Sequence, residues 1–187
     1  MSEQAEEISA FLGRLKEKPV LDQLSSHLQM SGSEIEEKIE FLQSRVSSPS
    51  SADSEKFFLY VDGAARNNPG PAGGGAVIYD EKEEKIEEDC SYFGSCLTNN
   101  AAEYRALLLG LELLPEDCRK LKVHMDSELI IKQLQGEYAV NSTNLRPYFE
   151  QVESALDKFD QVEFEAIPRE KNKKADSLAN RAIDEQA

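Results

Sequence analysis

Four carboxylates spread along the chain, Asp62, Glu103, Asp126 and Asp176, are the side chains best suited to chemistry. Asp62 closes the apolar run Phe57-Phe58-Leu59-Tyr60-Val61 and precedes a small, turn-forming stretch from Gly63 to Gly73. A carboxylate drawn into such a run is costly unless it meets a cation, a hydrogen-bond network or a metal. Glu103 follows Thr98-Asn99-Asn100-Ala101-Ala102 in a helical stretch, Asp126 ends a short apolar strand before Ser127, and Asp176 lies in the first turns of the last helix. If the strands that end near 62 and 126 pair side by side, their carboxylates meet, and helices crossing the same end add the other two. Four hard oxygen ligands suit two Mg²⁺ ions, which keep waters and leave room for phosphate oxygens. Two ions about 4 Å apart activate water on one side of a phosphodiester and stabilise the leaving oxygen on the other. Without metal the cluster repels itself, so one acid should have a raised pKa and metal should stabilise the fold.

These acids need a frame. Strands are expected at about 57–63, 73–80 and 84–94, a helix over 99–114, a fourth strand at 121–126, helices at 128–134 and 145–159, a fifth strand at 162–167 and a last helix over 172–184. That order predicts an α/β domain, a mixed five-stranded sheet with flanking helices, over 56–187. Ahead of it, residues 1–46 read as a small all-α module, with Ile8, Phe11, Leu12 and Leu15 at helical spacing, then Val20, Leu21, Leu24 and Leu28, then Ile35, Ile39 and Leu42. Ser33 and Glu36 form the expected capping box of the third helix. Met30-Ser31-Gly32 could be the turn of a helix-turn-helix-like unit, but that helix carries Glu34, Glu36, Glu37 and Glu40, so a protein-contact or packing role is favoured over DNA reading. Whether its partner is protein or nucleic acid stays open. Residues 47–55, rich in Ser with Pro49, read as a flexible linker.

Composition sets outer limits. A 187-residue chain with 40% hydrophobic residues builds one ordinary domain and a small appendage. No apolar run reaches the ~20 residues of a membrane helix, so no membrane partner is expected. Cys90, Cys96 and Cys118 are odd in number and lack a Cys-x-x-Cys pair, which points to reduced thiols and a cytoplasmic location. The net charge of −15 argues against nucleic-acid binding. Bound cations offset part of it, and Arg169, Lys171, Lys173 and Lys174 make one basic cluster, so weak, salt-sensitive binding is expected. The cluster reads equally well as a solvated helix start.

The strings Asp62-Gly63-Ala64-Ala65-Arg66-Asn67-Asn68-Pro69-Gly70 and Thr98-Asn99-Asn100-Ala101-Ala102-Glu103-Tyr104-Arg105 resemble the first two blocks of type 1 ribonucleases H. Asp126-Ser127-Glu128-Leu129-Ile130 and Pro168-Arg169-Glu170-Lys171-Asn172-Lys173-Lys174-Ala175-Asp176 resemble the later two, in the same order. The resemblance implies an endonuclease that cuts the RNA strand of RNA–DNA hybrids with two Mg²⁺ or Mn²⁺ ions, leaving 5′-phosphate and 3′-hydroxyl ends; a monomer is expected, although the sequence does not give the oligomeric state. It implies Asp62, Glu103, Asp126 and Asp176 as catalytic metal ligands. Gly63, Asn68, Thr98, Asn99, Asn100 and Arg169 are the implied substrate-binding residues. Amides and backbone groups can sense a 2′-hydroxyl, which both donates and accepts, in a wide minor groove.

Two departures stand beside that resemblance. Many relatives carry a His in the loop before the last Asp, whereas this loop reads Pro168-Arg169-Glu170-Lys171-Asn172. Arg169 cannot act as a base, so Glu170 is the candidate auxiliary group, with simple solvation as the alternative. The Lys-rich protrusion of some relatives is also missing, because Gly136 to Leu145 is short and nearly uncharged. His124 shares strand parity with Asp126, and a packed strand histidine is favoured over a proton shuttle. The rival functions are a hybrid-binding module without cleavage and a nuclease of another kind on the same fold.

Overall fold

The computed structural model describes residues 10–28, 30–47 and 55–186, and the chain divides into two units between residues 54 and 55. In the first unit residues 10–14 are helical, followed by α1 (Lys18–Leu28) and α2 (Gly32–Ser47). Leu12, Leu21, Ile35 and Ile39 form its small core, with Leu15, Leu24 and Met30 against it. Ile8 and most of the expected linker lie outside the described residues. The capping box sits two residues earlier than expected. The Ser31 backbone N–H donates to Glu34 Oε2 at 2.8 Å, and the Glu34 N–H donates to Ser31 Oγ at 3.3 Å. Both Ser-x-x-Glu spacings exist in the sequence, and starting the helix at Gly32 turns Ile35 and Ile39 inward.

The second unit is built on a five-stranded sheet in the order β3-β2-β1-β4-β5. Its strands are β1 (Lys56–Ala65), β2 (Gly70–Tyr79), β3 (Lys85–Leu97), β4 (Lys120–Met125) and β5 (Gln161–Ala166). β1–β2 and β2–β3 are antiparallel, while β1–β4 and β4–β5 are parallel. The helices are α3 (Asn99–Leu113), α4 (Glu128–Leu134), α5 (Arg146–Leu156) and α6 (Lys173–Asp184), with a 3₁₀ turn at Arg169–Lys171 before the last. The mixed sheet with flanking helices is the architecture expected from the element order.

β1 and β2 are longer than the apolar pattern indicates. The ladder continues through Ala64↔Gly73 and Ala65↔Ala72, and the Arg66 N–H donates to Pro71 O at 2.8 Å. Small residues have weak strand preference, yet here they are needed because helices pack directly on their backbones. α5 is shorter than expected, ending at Leu156.

Strand alternation divides the sheet into two faces. Leu59, Val61, Leu121, Val123 and Met125 point to the face covered by α3 and are essentially inaccessible. Each such side chain contributes about 1.5–3 kcal/mol relative to exposure. Phe58, Tyr60, Asp62 and His124 belong to the other row, the face on which α6 packs.

Candidate active site

The four acids are brought together by register and by two glycines. Tyr60 pairs with His124 in the parallel β1–β4 ladder, so two residues further on Asp62 and Asp126 stand at the same level. The Asp126 carboxylate lies close enough to act on Asp62. A Cβ on Gly63 would lie 2.2 Å from the Ala102 carbonyl carbon and 2.3 Å from the Glu103 nitrogen, so only glycine lets α3 cross β1 at this point. That crossing puts Glu103 within electrostatic reach of Asp62 and Asp126. Gly75, the partner of Asp62 in β2, does the same for α6: its Cβ would sit 2.4 Å from Leu178 Cβ and 2.5 Å from Ala175 O. Asp176 then acts on Asp62 from the first turn of that helix.

A chain of hydrogen bonds fixes the helix start. Asn68 Oδ1 accepts from the Asn99 N–H at 2.9 Å, and Asn99 Oδ1 accepts from the Ala65 N–H at 3.2 Å. The Asn99 amide Nδ2 donates to Glu103 Oε1 at 3.0 Å. Asn99 therefore orients an acid. Thr98 caps α3, its Oγ1 accepting from the Ala101 N–H at 3.3 Å. On the other side, Asn172 Nδ2 donates to Val61 O at 2.9 Å, tying the loop before α6 to the residue preceding Asp62.

Charge crowding is evident. Burial, then the neighbouring charges of Asp126 and Asp176, push the Asp62 carboxyl up to about 7, while Arg169 opposes the rise. Burial pushes Glu103 up to about 7 against the Ser127 hydroxyl and Asn99 amide beside it, with Asp62 and Asp126 adding to the rise. Glu103 Oε2 is buried without a hydrogen-bond partner. An orphaned carboxylate oxygen among three other acids fits a hard divalent cation. Among the described residues no three acidic, His or Cys side chains are already drawn into a closed metal cage. Asp176 is instead paired with the Arg169 guanidinium, and Glu103 is held by Asn99.

The remaining expected site residues are spread over the neighbouring surface. Asn68, Thr98 and Asn100 line an open groove of about 910 Å³ whose other wall includes Ser142, Thr143, Asn144, Tyr148 and Gln151. Sequence reasoning missed that wall, because neither the loop at 142–145 nor the first turns of α5 carry a motif. Glu170 lies exposed in the 3₁₀ turn and makes no hydrogen bond or ion pair among the described residues. In the basic cluster, Lys174 pairs with Glu88 at 3.1 Å. His124 is buried in a ring stack, 4.5 Å from Tyr60 and 6.2 Å from Phe58. A cavity of about 550 Å³ beside it, bordered by Tyr79, Lys122 and Asn172, contains none of the four acids.

An α/β sheet of this order, with an acid on each of two paired strands and one on each of two flanking helices, defines a ribonuclease H-like fold with a candidate metal-binding end. Residues 60–182 match the family model described as reverse transcriptase-like. A bifunctional protein of Mycobacterium tuberculosis is 35% identical over 130 residues, which cover 69% of this chain and 36% of that protein. The crystal structure of ribonuclease H1 from Halobacterium salinarum has 36% identity and a TM-score of 0.67, covering 70% of this chain and 98% of that one. LC11-RNase H1, solved in complex with an RNA/DNA hybrid, has 42% identity and a TM-score of 0.64, covering 70% and 98%. The chain belongs to the type 1 ribonuclease H family. Among the described residues no helix is long and apolar enough to cross a membrane.

Proposed function

We propose that this chain is an endonuclease that hydrolyses the RNA strand of RNA–DNA hybrids, leaving 5′-phosphate and 3′-hydroxyl ends. The observation that carries the reading is the convergence of Asp62, Glu103, Asp126 and Asp176, with a buried Glu103 oxygen left without a partner. Relatives named as ribonucleases H, one of them solved with a hybrid, support the substrate class.

The four acids would hold two Mg²⁺ or Mn²⁺ ions, which supply activation of the attacking water and charge stabilisation at the leaving oxygen. The protein's own groups do the rest. Asn99 and Ser127 hold Glu103 in place, and Asn172 holds the loop that carries Arg169 and Glu170. Asn68, Thr98 and Asn100 offer uncharged polar groups to a sugar–phosphate backbone along the groove. Gly63 keeps the floor between Asp62 and Glu103 free of side chain. Hydrolysis places the water's hydroxyl on phosphorus, breaks the P–O3′ bond and delivers a proton to the 3′ oxygen, and Glu170, an exposed carboxylate of this loop, is the candidate to assist that proton transfer. The small helical unit forms an accessory module whose partner the reaction does not need, and the enzyme acts as a monomer in the cytoplasm.

Digestion of end-blocked RNA–DNA, RNA–RNA and DNA–DNA duplexes across Mg²⁺ and Mn²⁺ titrations tests this. The expected outcome is internal cuts in the RNA strand of the hybrid. No cleavage makes the chain a binding module, and cutting of DNA–DNA makes it a different nuclease.

A further inference from the structure

We propose that Arg169 is a positioning residue that sets the order of cation binding, by occupying Asp176 until a divalent ion displaces it. This rests on the reading of the four acids as metal ligands. The guanidinium of Arg169 is paired with Asp176, and its charge also reaches Asp62 and Asp126. An Arg side chain does not lose its proton in a protein, so it cannot yield by titrating and has to move. A guanidinium and a divalent ion bound to one carboxylate repel each other, so Asp176 serves one at a time.

The loop is built for that exchange. Its backbone is held: the Lys171 N–H donates to Pro168 O at 2.8 Å, the Asn172 N–H to Arg169 O at 2.9 Å, and Asn172 Nδ2 to Val61 O at 2.9 Å. The Arg169 side chain itself is 72% exposed, so it swings without disturbing the fold. Asp62, Glu103 and Asp126 carry no such counter-ion: no ion pair to any of them is present among the described residues. A cation reaching those three displaces no side-chain counter-ion, whereas one that needs Asp176 first expels Arg169. The two ions therefore bind in sequence, and the displaced guanidinium is released toward solvent.

Calorimetric titration of Mn²⁺ into the full-length protein without nucleic acid tests this, using wild type, Arg169→Ala, Asp176→Asn and the double variant. Arg169→Ala is expected to tighten the weaker Mn²⁺ event by roughly three- to tenfold, the scale of one partly screened charge contact. In the Asp176→Asn background the same change should alter affinity less than about twofold, because the shared partner is gone. Unchanged or weaker Mn²⁺ binding in Arg169→Ala overturns the proposal, as does equal tightening with and without Asp176. A wild-type protein that binds no Mn²⁺ overturns it together with the ligand assignment, whereas bound Mn²⁺ with no response to Arg169→Ala overturns this inference alone.

Discussion

Asp62 and Glu103 are held in their positions against their own charge. Both carboxyls are pushed up to about 7, from ordinary values of 3.8 and 4.5. Between about pH 4 and 7 the native metal-free protein therefore keeps protons that the unfolded chain has released. The stability these groups contribute is present in full below about pH 4 and is lost as pH rises through about 7. Thermal unfolding of the metal-free protein should show this fall, Asp62→Asn should flatten it, and Mg²⁺ should restore stability above pH 7 by binding the ionised native acids. A pH profile unchanged by Asp62→Asn would contradict the crowding. The sequence showed an acid at the end of an apolar run and hence a partner to be found. It did not show that Arg169 pairs with Asp176, because exposed side-chain pairing across a loop leaves no spacing signal. Nor did it separate Asn99 from Asn100, whose types are the same but whose partners differ.

At the scale of elements, the strands and helices were legible because apolar periodicity changes clearly from two to about 3.6 along residues 57–184. Their ends were not, for a physical reason: the Ala64-to-Gly75 region is made strand by the helices packed against it rather than by its own preferences. The capping box shows the same limit. Two Ser-x-x-Glu frames compete, and core burial of Ile35 and Ile39 chooses between them. β1 and α3 meet backbone to backbone at Gly63, which makes Gly63→Ala informative. The added methyl meets backbone at 2.2 Å, so backbone has to shift, and a cost of about 3 kcal/mol is expected. Because Glu103 rides on the displaced helix, cleavage should fall more steeply than stability. Denaturant unfolding and single-turnover cleavage of the same preparation check both, and a stable variant of normal activity would contradict this account of how α3 is seated.

For the whole molecule, the division between residues 54 and 55 separates a small helical unit with its own core from the unit that carries every proposed ligand. Deleting residues 1–54 should leave hybrid cleavage within roughly tenfold of full length, as expected of a domain that folds on its own core. Complete loss of activity in a folded truncation would make the helical unit part of the catalytic machinery. The net charge of −15 opposes a polyanionic substrate, so KM should rise with salt as the few local Lys and Arg contacts are screened. Fold class could be read from the order of strands and helices, and the four acids drew attention because they stand at or near the ends of those elements. The part of the groove formed by residues 142–145 and the first turns of α5 could not, because only folding brings it beside Thr98 and Asn100.

The most direct test of the central claim is product mapping on an end-blocked RNA–DNA hybrid with wild type, Asp62→Asn and Asp126→Asn at saturating Mg²⁺. Internal RNA cuts bearing 5′-phosphates are expected from the wild type, with a loss of about a hundredfold or more in each variant while the fold persists. Near-wild-type cutting by either variant would contradict a shared metal site at the end of β1 and β4.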